Sequence, residues 1–155
     1  MRIIGDGGHA KVINSCYSGA GHIIAVGDNA KRRQVALERE GMHFAMVYGT
    51  AIHPSAIVSM SAVIGPGTVI MAGAVVQAGA RIGKHCIINT CASVDHDCIV
   101  GDYAHIAPGA HLCGHVEVGE GALVGAGVCV APMGKIPAWS LAKMRRLEIV
   151  ALQGN

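Results

Sequence analysis

The sequence predicts a three-sided parallel β-solenoid preceded by a small α/β unit, and two superimposed periods carry that prediction. Every sixth residue from Ile52 to Ile136 is Ile, Leu or Val, fifteen positions in succession. Four residues after the aliphatic comes a small or β-branched side chain, from Ala56 and Ala62 through Thr68 and Cys86 to Ala104 and Ala110. A slower beat of eighteen places Gly65, Gly83, Gly101 and Gly119 directly after an aliphatic. A helix needs apolar residues every three or four positions and a plain strand every two. A strict period of six suits short strands joined by tight corners, and three hexads inside eighteen residues close a triangular coil. Each hexad then sends one large and one small side chain inward. The glycine column marks a place where backbone geometry or close approach excludes a side chain.

The N-terminal fifty residues follow a different pattern. Arg2-Ile3-Ile4 reads as a strand running into Gly5-Asp6-Gly7-Gly8-His9, and an apolar helix begins at Ala10-Lys11-Val12-Ile13. A glycine-rich turn between strand and helix can present N–H groups to a phosphate, although a glycine cluster alone is a weak signal. A second strand covers Ile23 to Gly27; Asp28 or Asn29 caps a helix reaching about Glu40, and Gly41 stops it. A third strand over Phe44–Tyr48 leads into the first hexad. The chain therefore divides into an α/β unit over 1–50, a β-solenoid over 51–140 and a tail over 141–155. Leu141, Met144, Leu147 and Val150 predict an amphipathic helix from Ser140 to Leu152 that caps the open end of the solenoid.

Composition narrows the functional classes. The net charge of +2 gives no general case for nucleic acid, and the basic clusters Lys31-Arg32-Arg33 and Lys143-Arg145-Arg146 read as solvated surface, with a phosphate or coenzyme contact as the alternative. The apolar stretches fall short of the ~20 residues that a membrane span needs. A strand and glycine loop at the start leave no signal peptide in view, so a cytoplasmic protein is expected. Six cysteines without a CxxC pair suggest reduced, structural thiols, with Cys86 and Cys98 at small inward positions.

Two groups of motifs resemble one branch of the hexapeptide-repeat acyltransferases, the sugar acetyltransferases of the PglD/NeuD type. The first is Ile4-Gly5-Asp6-Gly7-Gly8-His9-Ala10-Lys11 with Val26-Gly27-Asp28-Asn29 and Ile52-His53-Pro54-Ser55-Ala56. The second runs from Ile87-Ile88-Asn89-Thr90 through Val94-Asp95-His96-Asp97-Cys98 to Gly101-Asp102-Tyr103-Ala104-His105-Ile106-Ala107-Pro108-Gly109-Ala110. The resemblance implies a left-handed coil, a Rossmann-like first unit, a homotrimer, and acetyl transfer from acetyl-CoA to a nucleotide-linked amino sugar. It implies that His96 is the general base with Asp97 behind it, and that His105 and Ala126 contact the coenzyme. Gly7, Gly8, His9, Gly27 and, less directly, Asn89 would contact the sugar substrate. No resident metal is expected. Sugar O-acetylation of the sialic-acid type and a degenerate trimeric scaffold are the alternative functions.

The chemistry fits those residue types. An attacking amine must shed a proton, which imidazole accepts near neutral pH. A neighbouring carboxylate fixes the ring tautomer and stabilises the imidazolium; Asp97 and Asp95 both flank His96. The oxyanion needs a donor, either a backbone N–H or the His105 ring. A zinc site is the bland alternative for His111 and His115 around Cys113. The fold's zinc hydratases place two of three histidines five residues apart, and the gaps here from His105 are six and four. The first unit also departs from the family: Ile13 to His22 spans ten residues, without the second strand and Asp-Asp pair expected there. The far end lacks the additional hexads that normally close the coenzyme site.

Overall fold

The computed structural model describes residues 2–5, 7–8, 10–11, 13, 21–41 and 46–143. From Ala51 to Ala142 the chain winds as a parallel β-helix of two-residue strands joined by tight corners. Strands eighteen residues apart stack in register, as in Ile87 on Val69 and His105 on Ile87. Three flat faces result. The first begins with Ala51–Ile52 and ends with Leu141–Ala142; the second runs from Ile57–Val58 to Cys129–Val130; the third runs from Val63–Ile64 to Lys135–Ile136.

The hexad aliphatics fill the prism. Ile70, Ile88, Ile106 and Val124 are fully buried, with Ala74, Ala92 and Ala110 filling the narrower positions. Each large aliphatic contributes about 1.5–3 kcal/mol on burial. Thr68 is the polar member of the small series, and its hydroxyl is satisfied: Oγ1 donates to the Gly83 carbonyl at 2.8 Å and accepts from Cys86 N–H at 2.9 Å. The glycine column is explained by close approach. A Cβ on Gly65 would lie 2.5 Å from the Gly83 carbonyl carbon, and one on Gly119 would lie 2.4 Å from the Ala138 nitrogen.

From Gly67 onward, each corner places one residue in the left-handed region. The first corner, between the first and second faces, places Gly73, Cys91, Gly109 and Gly127 there; the second places Gly79, Asp97, His115 and Met133; the third places Gly67, His85, Tyr103, Gly121 and Trp139. These residues stack as a ladder. Asp97 N–H donates to the Ala78 carbonyl and His115 N–H to the His96 carbonyl, both at 3.0 Å. Side chains eighteen residues apart on a corner are therefore held one coil apart, about 4.8 Å.

The first unit contains Arg2–Ile4 and His22–Ile24 as parallel strands, helical backbone at Gly8, Ala10, Lys11 and Ile13, and helix α1 (Asn29–Glu40). Asp28 is the N-cap, accepting from Lys31 N–H at 2.7 Å. Of the strand expected over Phe44–Tyr48, Tyr48 forms a parallel bridge with His22, while Phe44 lies outside the described residues. Ile13, Ile23 and Ala25 pack on Val69, Met71 and Ile87 of the first face.

Two expectations need correction. Leu141–Ala142 is a strand paired with Leu123–Val124, so the hexad beat runs one step further and no helix starts at Ser140. The backbone ladder of the preceding coil extends the fold before helical periodicity can act. Residues 144–155, which carry the rest of that expected helix, lie outside the described residues. Arg32 is not solvated surface: it is 1% exposed. Its guanidinium donates through Nε to the His85 carbonyl (2.8 Å), through one Nη to Val26 and Gly27 carbonyls (2.8 and 3.2 Å), and through the other to the Tyr103 carbonyl (2.6 Å) and Asn29 Oδ1 (2.8 Å). It fastens the first unit to the third corner, and burial lowers its pKa to about 10.

Candidate active site

His96 and Asp97 occupy the turn of the second corner, between Ser93–Val94 and Ile99–Val100. Both are exposed. Asp97 has φ of 57°, a conformation that Asp tolerates better than most side chains. That twist brings its carboxylate back to the preceding ring: His96 Nδ1 and Asp97 Oδ2 are 2.9 Å apart. Asp97 is an acceptor, so Nδ1 carries the proton and Nε2 is left with its lone pair. Asp95 plays another part, accepting from the His96 backbone N–H at 2.8 Å. Between the two flanking carboxylates, geometry makes Asp97 the ring's partner. The hydrogen bond to Asp97, with the charges of Asp95 and Asp97, raises the His96 pKa above its ordinary value.

Two glycines make room for this pair. A Cβ on Gly114, one coil after His96, would lie 2.5 Å from His96 Nε2. A Cβ on Gly79, one coil before Asp97, would lie 2.4 Å from Asp97 Oδ1. His115 stands one coil after Asp97, with Nε2 3.9 Å from Asp97 Oδ2 and its ring edge-on to His96 at 5.1 Å. Gly79, Gly114 and His115 were not singled out as partners of His96 from sequence. The signal was present, because adding eighteen to 96 and 97 gives 114 and 115.

Asn89 and His105 form a second pair. Asn89 sits at the first corner and His105 on the first face, with Asn89 Nδ2 3.0 Å from His105 Nε2. Asn89 Oδ1 accepts from Thr90 N–H at 2.8 Å, which fixes the amide orientation. His105 Nε2 therefore accepts from the amide, and the proton resides on Nδ1. Ala126 lies exposed on the same first corner. Within one chain this edge is distinct from the His96 edge.

Gly7, Gly8 and Gly27 converge on a cavity of about 390 Å³ beside α1, which Lys31 and Arg39 also line. His9 and Cys16 lie outside the described residues. The other five cysteines are free thiols. Cys86 is an inward one, its pKa pushed up to about 12 by burial. Among the described residues no helix is long and apolar enough to cross a membrane.

The family model described as bacterial transferase hexapeptide (six repeats) matches residues 61–96 and 97–132. The acetyltransferase domain of PglB from Neisseria gonorrhoeae, solved with acetyl coenzyme A, superposes with a TM-score of 0.82 and 33% identity, covering 91% of this chain and 87% of that one. The chain belongs to the hexapeptide-repeat sugar acetyltransferases. Its coil is accordingly the left-handed β-helix of that family. PerB from Caulobacter crescentus, solved with CoA and GDP-perosamine, gives the same TM-score at 34% identity, covering 90% of this acetyltransferase-family chain and 83% of PerB. A GDP-perosamine N-acetyltransferase of Escherichia coli is 33% identical over 81 residues, which is 52% of this chain and 37% of that protein's own length.

Proposed function

We propose that the protein transfers the acetyl group of acetyl-CoA to the amine of a nucleotide-linked amino sugar. The observation that carries this reading is the 2.9 Å contact from His96 Nδ1 to Asp97 Oδ2, which leaves Nε2 as a base on an exposed edge. The amine nitrogen attacks the thioester carbonyl, Nε2 takes the amine proton, and the C–S bond breaks as the carbonyl re-forms. The same proton then neutralises the departing CoA thiolate. Asp97 stabilises the imidazolium in between. His105, held by Asn89, and exposed Ala126 belong to the coenzyme contact; the glycine-lined cavity takes the nucleotide. The relatives' bound CoA and GDP-perosamine support this assignment of substrate classes.

The exposed surface supports a homotrimer. Ile57, Met60, Val63, Ile99 and Met133 are large and exposed, and they lie on the second corner and the two faces that it joins. A three-fold assembly covers such a strip and sets the first edge of one protomer against the second edge of the next. His96 then faces a coenzyme held by Asn89 and His105 of a neighbouring copy. The protein would act in the cytoplasm, where acetyl-CoA is available.

The direct test is incubation with acetyl-CoA and GDP-perosamine, followed by mass spectrometry. The expected product carries one acetyl group in a base-stable amide, with one CoA thiol released per turnover. A base-labile ester would transfer the reading to O-acetylation. Absence of acetyl-CoA binding by calorimetry would leave only the scaffold.

A further inference from the structure

The second corner brings together three side chains from two successive coils: His96 and Asp97 in one, His115 in the next. His96 Nδ1 and Asp97 Oδ2 are 2.9 Å apart, and Asp97 Oδ2 and His115 Nε2 are 3.9 Å apart. One ligating atom from each lies within 4.8 Å of the others. Two ligands on a tetrahedral zinc ion, each at 2.0–2.1 Å, stand about 3.4 Å apart, which the two shorter separations bracket.

The arrangement is held in place by the backbone. His115 N–H donates to the His96 carbonyl and Asp97 N–H to the Ala78 carbonyl, so the corner ladder fixes the relative height of all three residues. The missing side chains of Gly79 and Gly114 let the carboxylate and the His96 ring lie along the corner. Two imidazoles and one carboxylate suit borderline cations such as Zn²⁺; Mg²⁺ and Ca²⁺ prefer all-oxygen sets.

We propose that His96, Asp97 and His115 form a divalent transition-metal site, selective for Zn²⁺-like ions, whose occupation shuts off the base. This set shares only His115 with the His111, Cys113 and His115 cluster that the sequence brings to mind: His111 Nδ1 faces Ser93 Oγ at 2.8 Å, and Cys113 Sγ faces Cys129 Sγ at 4.0 Å. Binding stands on the geometry alone. Inhibition rests on the acetyl-transfer reading, because an ion on Nδ1 and Oδ2 displaces the hydrogen bond that presents Nε2.

The test is calorimetric titration of the metal-free full chain with Zn²⁺, repeated on His115→Gln and on the double variant Cys113→Ser, Cys129→Ser. The expected result is one ion per chain, at least tenfold weaker binding in His115→Gln, and unchanged binding in the cysteine variant. Co²⁺ substitution should give a spectrum without a thiolate charge-transfer band. No saturable binding, or binding lost with the cysteines and kept without His115, overturns the proposal. Acetyl transfer measured alongside separates the two readings. Inhibition that EDTA reverses in the wild type and that His115→Gln resists supports both. One bound zinc with an undiminished transfer rate keeps the site and refutes His96 as the base.

Discussion

The second and third corners of the same β-helix have the same backbone and opposite surroundings. Both put non-glycine residues into the left-handed region at eighteen-residue spacing: Asp97 and His115 on one, His85 and Tyr103 on the other. On the third corner the first unit closes over them. His85 is 1% exposed, stacked on Tyr103 at 5.4 Å and met edge-on by Tyr48 at 4.5 Å. Burial there pushes its pKa down to about 4, so the ring stays neutral. On the second corner His96 is exposed among the described residues, and the hydrogen bond to the Asp97 carboxylate raises its pKa. The β-helix supplies similar pedestals; what is packed against each decides whether a histidine is buried and neutral or exposed beside a carboxylate.

The largest expected effect breaks the anchoring corner. Arg32→Ala removes a buried guanidinium that satisfies carbonyls of both units, at a cost of roughly 3–5 kcal/mol in stability. Chemical denaturation should show the loss, and proteolysis should cut first within residues 2–41. A change below about 1 kcal/mol would mean that the apolar contacts of Ile13 and Ile23 hold the unit unaided.

Acid should act on the same corner. His85 binds its proton at about 4 when folded against an ordinary value of 6.5. The unfolded chain therefore takes up more protons between those values, and stability falls as pH drops through that window. The stability His85 confers is complete above pH 6.5 and lost towards pH 4, by up to about 3 kcal/mol. His85→Phe should flatten the pH dependence of the unfolding midpoint; an unchanged slope would assign the effect to other groups.

A smaller effect should come from the exposed corner. Gly114→Ala places a methyl against His96 Nε2 and turns the ring, costing about 10- to 100-fold in kcat while coenzyme affinity holds. Steady-state kinetics with acetyl-CoA varied separate the two parameters. A fall confined to KM would place His96 in binding and remove it from proton transfer.

How much of this the sequence disclosed depends on the range of the interaction. Short-range geometry was open to view: the hexad aliphatics, the inward Cys86 and Cys98, and the glycine column all act between adjacent coils. The His96–Asp97 pairing was also visible, because the two residues are neighbours. Arg32 was hidden, since a run of three cations gives no sign that a second unit will bury the middle one. His115 is legible only through the eighteen-residue period, because its relation to Asp97 runs along the corner column and does not show in local spacing. The expected helix start at Ser140 misled because Leu141 and Met144 satisfy a helical period, whereas the open ladder of Leu123–Val124 supplies strand partners to Leu141–Ala142.

The comparison of corners is tested most directly by His96→Ala, measured at once for kcat/KM in acetyl transfer and for free energy of unfolding. An exposed side chain with a chemical task should lose roughly 10²- to 10⁴-fold in kcat/KM, with stability unchanged within about 0.5 kcal/mol. An active variant, or one that is inactive only because it unfolds, would contradict the assignment of chemistry to the second corner.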